Sequence, residues 1–247
     1  MPTHILGAML PDGTTISVHD LHYFLPSCLE EKTGYPYEYL MSIVNNPREY
    51  SYEPTVTSML GCQMAPFIKS TTPFYINLKY HFSAWRGTMI HLGIHTDMVE
   101  FYEMYVTREK RLYLTLDCGL KISGQPDWYY WSPENQEIRV RDYKTVSSLP
   151  TEPDIKHCIQ VNLYAYLVYC AEGSSQYNVT QLDLVYISNS GTRIFPVKIK
   201  PMEWCKSTLE KLGERWQRNE ADPKPTRSFF CKMCDVRKEC DERTGNV

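Results

Sequence analysis

The chain is 247 residues long, 43% apolar and 22% charged, with a formal net charge of -3 and a pI near 6.2. This composition excludes wholesale disorder and a uniformly basic nucleic-acid coat, and the length suits one substantial core with or without a small appendage. Nine cysteines, with no signal-like apolar run at the start and no stretch near the roughly 18 apolar residues of a membrane span, point to reduced thiols in the cytoplasm and to a metal site.

Within residues 1–19, Pro11, Asp12 and Gly13 make a turn between two strand-like pieces, which predicts a hairpin. Residues 20–53 mix aromatics with Pro26, Pro36, Pro47 and Gly34 and read as short helices and loops. Residues 56–68 read as a short helix around Cys62. Residues 85–102 read as a longer one, with Ile90, Ile94, Met98 and Phe101 at helical spacing. From Tyr105 the period changes to two. Y-V-T-R-E-K-R-L-Y-L-T-L-D and L-K-I-S-G-Q-P-D-W-Y-Y-W form an antiparallel hairpin turned at 117–119. S-P-E-N-Q makes the next turn and E-I-R-V-R-D-Y-K-T the third strand. Pro150 and Pro153 then break the chain. Residues 155–171 form a helix with Ile159, Leu163, Tyr166, Leu167 and Cys170 along one side. Residues 181–187 and 192–199 are strands around S-N-S-G, and Pro201 opens a helix to about Asn219. The mixed order implies one α/β or α+β core with the terminal pieces as a second lobe.

Strand periodicity puts Asp142 and Lys144 on one face and Tyr143 on the other. If the strand that carries G-Q-P-D and ends at Asp127 lies alongside, two carboxylates and an ammonium meet. Close carboxylates repel unless a cation joins them, which Mg2+ or Mn2+ can do while acidifying a water and stabilising charge on a phosphate. Taken singly, each signal has a plainer reading. D-x-K is a common surface pair, His91 in R-G-T-M-I-H can be a structural histidine, and Gln160 and Tyr164 can be solvent-facing residues one helical turn apart.

In C-K-M-C-D-V-R-K-E-C, Cys231 and Cys234 can turn back on one ion or cluster and Cys240 can join from a loop. Three thiolates want a fourth from elsewhere, and spacing leaves zinc and an iron–sulfur cluster both open. The tail is rich in lysine and arginine, from Lys206, Lys211 and Arg215 to Lys238 and Arg243, but acids are interleaved. Of the run from Trp128 to Trp131, alternate members face opposite sides of a strand, to pack the core or to stack on unpaired bases.

In this order the segments resemble the RecB-like branch of the PD-(D/E)xK nuclease superfamily, and most of all the iron–sulfur exonucleases associated with CRISPR loci and their phage relatives. The resemblance covers about residues 55–241. G-T-M-I-H matches the first motif, which implies His91 as a metal ligand. G-Q-P-D matches the second and implies the same of Asp127. R-D-Y-K-T matches the third and implies Asp142 and the carbonyl of Tyr143 as ligands, with Lys144 as the catalytic lysine. Q-V-N-L-Y matches the Q-x-x-x-Y signature and implies roles for Gln160 and Tyr164 beside the active site and DNA. T-S-M-L-G-C matches the upstream cysteine motif. It implies that Cys62 joins Cys231, Cys234 and Cys240 around a 4Fe-4S cluster, with Cys28 as a competitor for the fourth position. That motif often continues C-P-R in the group, whereas Gln63 and Met64 follow here, and most compact members lack the first 50 or so residues.

The fold so implied is an α/β restriction-endonuclease-like core, with a central mixed β-sheet flanked by helices, plus a helical lobe stapled by the cluster. It divides into an N-terminal extension (1–54), a helical lobe with the first cluster cysteine and first motif (55–104), a nuclease core (105–220) and a cysteine tail packing on the N-terminal lobe (221–247). The implied activity is Mn2+- or Mg2+-dependent hydrolysis of single-stranded DNA from its ends by a cytoplasmic exonuclease. The implied setting is CRISPR spacer acquisition and antiviral defence, or phage recombination and repair. DNA, a CRISPR integrase subunit and a second copy of the chain are the implied partners, with no membrane. The competing readings are a non-catalytic DNA-binding or adaptor subunit of a spacer-acquisition complex and a zinc-stabilised DNA-binding module.

Overall fold

The computed structural model describes residues 5–23, 26–45, 51–96, 105–132, 134–172 and 177–245. In chain order they form β1 (Ile5–Met9), β2 (Thr15–Ser17), α1 (Val18–Tyr23), α2 (Pro26–Thr33), α3 (Tyr37–Asn45), α4 (Val56–Leu60), α5 (Met64–Thr71), β3 (Phe74–Asn77), α6 (Leu78–Thr96), β4 (Val106–Arg108), β5 (Leu112–Thr115), β6 (Lys121–Gly124), β7 (Trp128–Ser132), β8 (Glu137–Thr145), α7 (Ile155–Ala171), β9 (Asn178–Ser188), β10 (Gly191–Pro196), α8 (Met202–Arg218) and α9 (Arg237–Thr244). A 3-10 turn at Phe229–Met233 precedes α9. Among these residues no helix is long and apolar enough to cross a membrane.

The described residues fall into two units. The first draws on Met1–Tyr52, Cys62–Arg86 and Asp222–Val247. The expected N-terminal hairpin is present as β1 and β2, antiparallel, with Thr14 N–H donating to Asp12 Oδ1 at 2.9 Å in the turn. The span 55–104, expected as a helical lobe, also carries a strand, β3. β3 runs parallel to β1 and completes a sheet of order β2-β1-β3. F-Y-I-N alternates over only four residues, too short for its period to stand out, yet Phe74 and Ile76 are fully buried. They join Ala8, Ile16, Leu21 and Leu29 in the core, to which the tail adds Val236 and Cys240. Tyr39 lies at its centre, its hydroxyl donating to Leu78 O at 3.1 Å. The predicted helix over 56–68 is two helices, α4 and α5, with Cys62 in the break that Gly61 makes.

The second unit draws on Glu53–Gly61 and Gly87–Ala221. Its five-stranded sheet has the order β10-β9-β8-β7-β4. β8 and β9 are parallel and the other neighbours antiparallel, so the sheet is mixed, and α7 supplies the crossover that a parallel pair requires. The predicted hairpin forms β4 with β7 and, beyond a break, β5 with β6, turning at 116–120. On β8, Ile138, Val140 and Asp142 are buried on one face. On the other, Arg139 lies over Tyr130 and Arg141 over Trp128, with 5.3 and 5.5 Å from guanidinium to ring centroid. Of the four aromatics from Trp128 to Trp131, only Tyr129 is fully buried.

Helix α7 is where the amphipathic reading fails. Gln160 through Ala165 are all buried, so the helix is covered nearly all round in its middle turns. Strands β5, β8 and β9 and helices α4 and α8 pack against it, leaving no solvent face there. Helix α6 begins at Leu78, about two turns before the predicted start. Met98, Phe101 and Tyr102 of the predicted helix lie outside the described residues.

Candidate active site

The carboxylates come together because β7 and β8 pair with Trp128 opposite Arg141. Asp127 is in the loop just before β7, one residue beyond the paired register, and so stands beside Asp142. Its orientation is fixed from two sides. Tyr143 N–H donates to Asp127 Oδ2 at 2.6 Å, and His91 Nδ1, from α6, lies 3.5 Å from Asp127 Oδ1. Tyr143 thus reaches the site through its backbone, and its ring meets that of His91 edge-on, 5.9 Å between centroids.

On the next inward-facing position of β8, Lys144 Nζ is 2.6 Å from Asp142 Oδ2. The same ammonium donates to Gln160 Oε1 at 2.9 Å. Gln160 Nε2 donates to Tyr164 Oη at 2.8 Å and to Thr57 Oγ1 at 2.9 Å, and these two hydroxyls are 3.1 Å apart. A primary amide has two N–H donors, and both are taken. The carbonyl oxygen is thereby committed to Lys144. Gln160 and Tyr164 are therefore buried network members and not the solvent-facing pair their spacing allowed.

The two carboxylates differ in acidity. Burial works to raise Asp127, but the His91 contact and the Tyr143 N–H outweigh it and hold it below the usual range. Burial pushes Asp142 up to about 6, with the negative charge of Asp127 adding and Lys144 opposing. His91 is raised chiefly by its contact with Asp127, and burial opposes. A pair of acids driven apart in this way is the expected electrostatic mark of a functional site.

The donors suit a hard divalent ion. Asp142 Oδ2 is buried and accepts no well-directed hydrogen bond, only the ion pair with Lys144. His91, Glu109 and Asp127 offer ligand atoms all within 4.8 Å of one another. Carboxylate oxygens with one imidazole favour Mg2+ or Mn2+ over soft-ligand metals.

Thr57 and Glu109 were not picked out from the sequence. Thr57 opens T-S-M-L-G-C, whose distinctive residue is the cysteine. Glu109 was legible in principle, since the register that pairs Arg108 with Trp128 places it opposite Asp127. The glycine of G-Q-P-D also acquires a reason. A Cβ on Gly124 would lie 2.8 Å from Leu167 Cδ2 and 3.1 Å from Tyr164 Cε1. We expect Gly124→Ala to cost about 1–3 kcal/mol in chemical denaturation, and to lower activity by displacing the Tyr164 hydroxyl from Gln160.

In the first unit, Cys62, Cys231, Cys234 and Cys240 all line one cavity of about 240 Å3, together with Ala65, Pro225 and Arg227 among others. Cys28 is exposed and does not line it. Thr226 N–H donates to Cys62 Sγ and Ser228 N–H to Cys231 Sγ, each at 3.4 Å. Burial raises Cys234 and Cys240, and for Cys240 the neighbouring thiols Cys62 and Cys231 add to the rise. Asp235 anchors the loop, accepting from Lys69 Nζ at 2.6 Å and from Asn77 N–H at 3.1 Å. Part of the basic tail is paired with its interleaved acids, Arg227 and Arg237 with Asp241 and Lys238 with Glu242, and Lys206 pairs with Asp117 of the β5–β6 turn.

The family model of the PD-(D/E)XK nuclease superfamily matches residues 79–241. Among solved structures, 22 chains are similar. The crystal structure of SSO0001 is one, with a TM-score of 0.54 and 19% identity over 78% of this chain and 87% of that one, a likeness of fold alone. No curated protein matches the sequence.

Proposed function

Since the chain belongs to the PD-(D/E)XK nuclease superfamily, we propose that it is a divalent-metal-dependent exonuclease that hydrolyses single-stranded DNA from its ends. The observation that carries this reading is the convergence of Asp127, Asp142 and His91 on one side of Lys144 with the Gln160 amide on the other. His91, Asp127, Asp142 and the carbonyl of Tyr143 would hold Mn2+ or Mg2+. When bound, the ion supplies an acidified water and Lewis acidity at the scissile phosphate.

The chain's own residues do the rest. The Tyr143 N–H keeps Asp127 turned to the site. Asp142 and Gln160 together hold the Lys144 ammonium in place, so its charge is aimed before the phosphate arrives and little reorganisation is needed. Thr57 and Tyr164 fix Gln160 and are positioning residues. Water is the nucleophile and no side chain becomes covalently attached.

The four thiols support a 4Fe-4S cluster. The motif set, and the shared cavity that all four cysteines line, favour the cluster over a zinc ion. The reduced cysteines fit a cytoplasmic setting. The preference for single strands and the place in CRISPR spacer acquisition or phage recombination rest on the motif set.

The test is to incubate anaerobically purified protein and Mn2+ with end-labelled linear single-stranded DNA and with the same strand circularised. Progressive shortening of the linear strand alone is expected. Cleavage of the circle would make the enzyme an endonuclease, and no cleavage of either would favour the adaptor reading.

A further inference from the structure

Between β4 and β5 the backbone of Glu109 has φ 47°, in the left-handed region that a side chain with a Cβ pays to enter. Such positions persist where the surroundings hold them, and they cluster at ligand sites. The surroundings here are specific. Glu109 N–H donates to Asp127 O at 3.2 Å, which continues the β4–β7 pairing by one residue. The turn brings a Glu109 carboxylate oxygen into the group with His91 and Asp127, all ligand atoms within 4.8 Å. Ligands about 2.0–2.2 Å from one ion lie no more than about 4.4 Å from each other, so a small closure suffices. Asp142, 2% exposed, lies outside that group; its buried Oδ2 is held 2.6 Å from Lys144 Nζ.

We propose that Glu109 is a further metal ligand of the nuclease site, an exposed carboxylate that completes the donor set of His91, Asp127 and Asp142 from the solvent side. This rests on the reading of that site as a divalent-metal centre. It adds a residue outside all the motifs the chain carries, and it gives the left-handed turn a purpose. The side chain of Glu109 is exposed, so it is the donor placed where an incoming phosphate oxygen would arrive.

The test measures Mn2+ affinity directly, by electron paramagnetic resonance of free Mn2+ without DNA. Four proteins are compared, the wild type, Glu109→Gln, Glu109→Gly and Asp127→Asn. The expected result is a loss of about 10- to 100-fold in affinity for both Glu109 variants, a size typical of damage to a metal site. Glu109→Gly relieves the backbone, so its metal-free melting temperature should equal or exceed that of the wild type, which separates lost ligation from lost folding. Wild-type affinity in both Glu109 variants, with affinity lost in Asp127→Asn, would overturn the role of Glu109 and leave the site reading standing. Equal Mn2+ affinity in the wild type and Asp127→Asn would instead overturn the site itself.

Discussion

Lys144→Ala should lower the rate of single-strand hydrolysis by about 10²–10⁴-fold, the range seen when a positioned donor or proton-transfer group is removed. The loss has two parts. In the proposed reaction, the ammonium that would face the developing phosphate charge disappears. So does the cation 2.6 Å from Asp142, which works to lower the pKa of a carboxyl that burial holds up at about 6 even against that cation. Without it Asp142 shifts further toward its protonated, non-ligating form. Mn2+ affinity should therefore fall too, more at pH 6 than at pH 8, where deprotonation restores the ligand. Taking up a proton also spares Asp142 the full cost of an unpaired buried charge, which is about 3–5 kcal/mol when it cannot be relieved. The variant should stay folded. Titration of Mn2+ at the two pH values, beside single-turnover cleavage, checks both parts. Unchanged affinity at pH 6 would mean that Lys144 acts on the phosphate alone.

Cys231→Ala should do its damage elsewhere. All four cavity thiols belong to the first unit, whereas Asp127, Asp142, Lys144 and Gln160 belong to the second. A cluster linking Cys62 to the tail cysteines closes a long loop, and such a link stabilises by about 5 kcal/mol on chain entropy alone. On the proposed 4Fe-4S reading, the variant should lack the brown colour that the cluster gives the wild type. It should melt well below the wild type and become protease-sensitive around α9 and the loop before it. Its Mn2+ affinity should fall less than that of Asp127→Asn. Wild-type melting with the chromophore intact would remove Cys231 from the ligand set.

How much of this was legible beforehand depended on whether the signal was periodic. β8 and α7 read from the sequence with the bounds they have, because nine residues of strand alternation and seventeen of a helix between turn signals leave little choice. Asp127, Asp142 and Lys144 followed from the strand period and a hairpin. Three things did not follow. β3 is too short to show a period. By spacing alone Gln160 and Tyr164 read as solvent-facing, and only the Q-x-x-x-Y resemblance set them beside the site, because their burial is compensated by one another and by Thr57, which lies far away in sequence. Glu109 sits at a backbone turn that no residue type announces, since glycine or asparagine would be the ordinary choice at φ 47°.

The segment Glu53–Gly61 belongs to the nuclease unit although it is separated from the rest of it by Cys62–Arg86. Its contacts there are Thr55 bridging to Ser123, buried Val56 and Met59, and the Thr57 hydroxyl on Gln160 and Tyr164, residues 103 and 107 positions later. At about 5–20 residues per second of synthesis, Tyr164 follows Thr57 from the ribosome by roughly 5–20 s. The network that aims Lys144 therefore closes only after a loop of that length, whose entropy must be met first. For the same reason the nuclease cannot be excised by a single cut. A fragment beginning after Gly61 would keep every carboxylate of the site, yet it would leave the Gln160 amide one acceptor short, at a cost of about 1–3 kcal/mol.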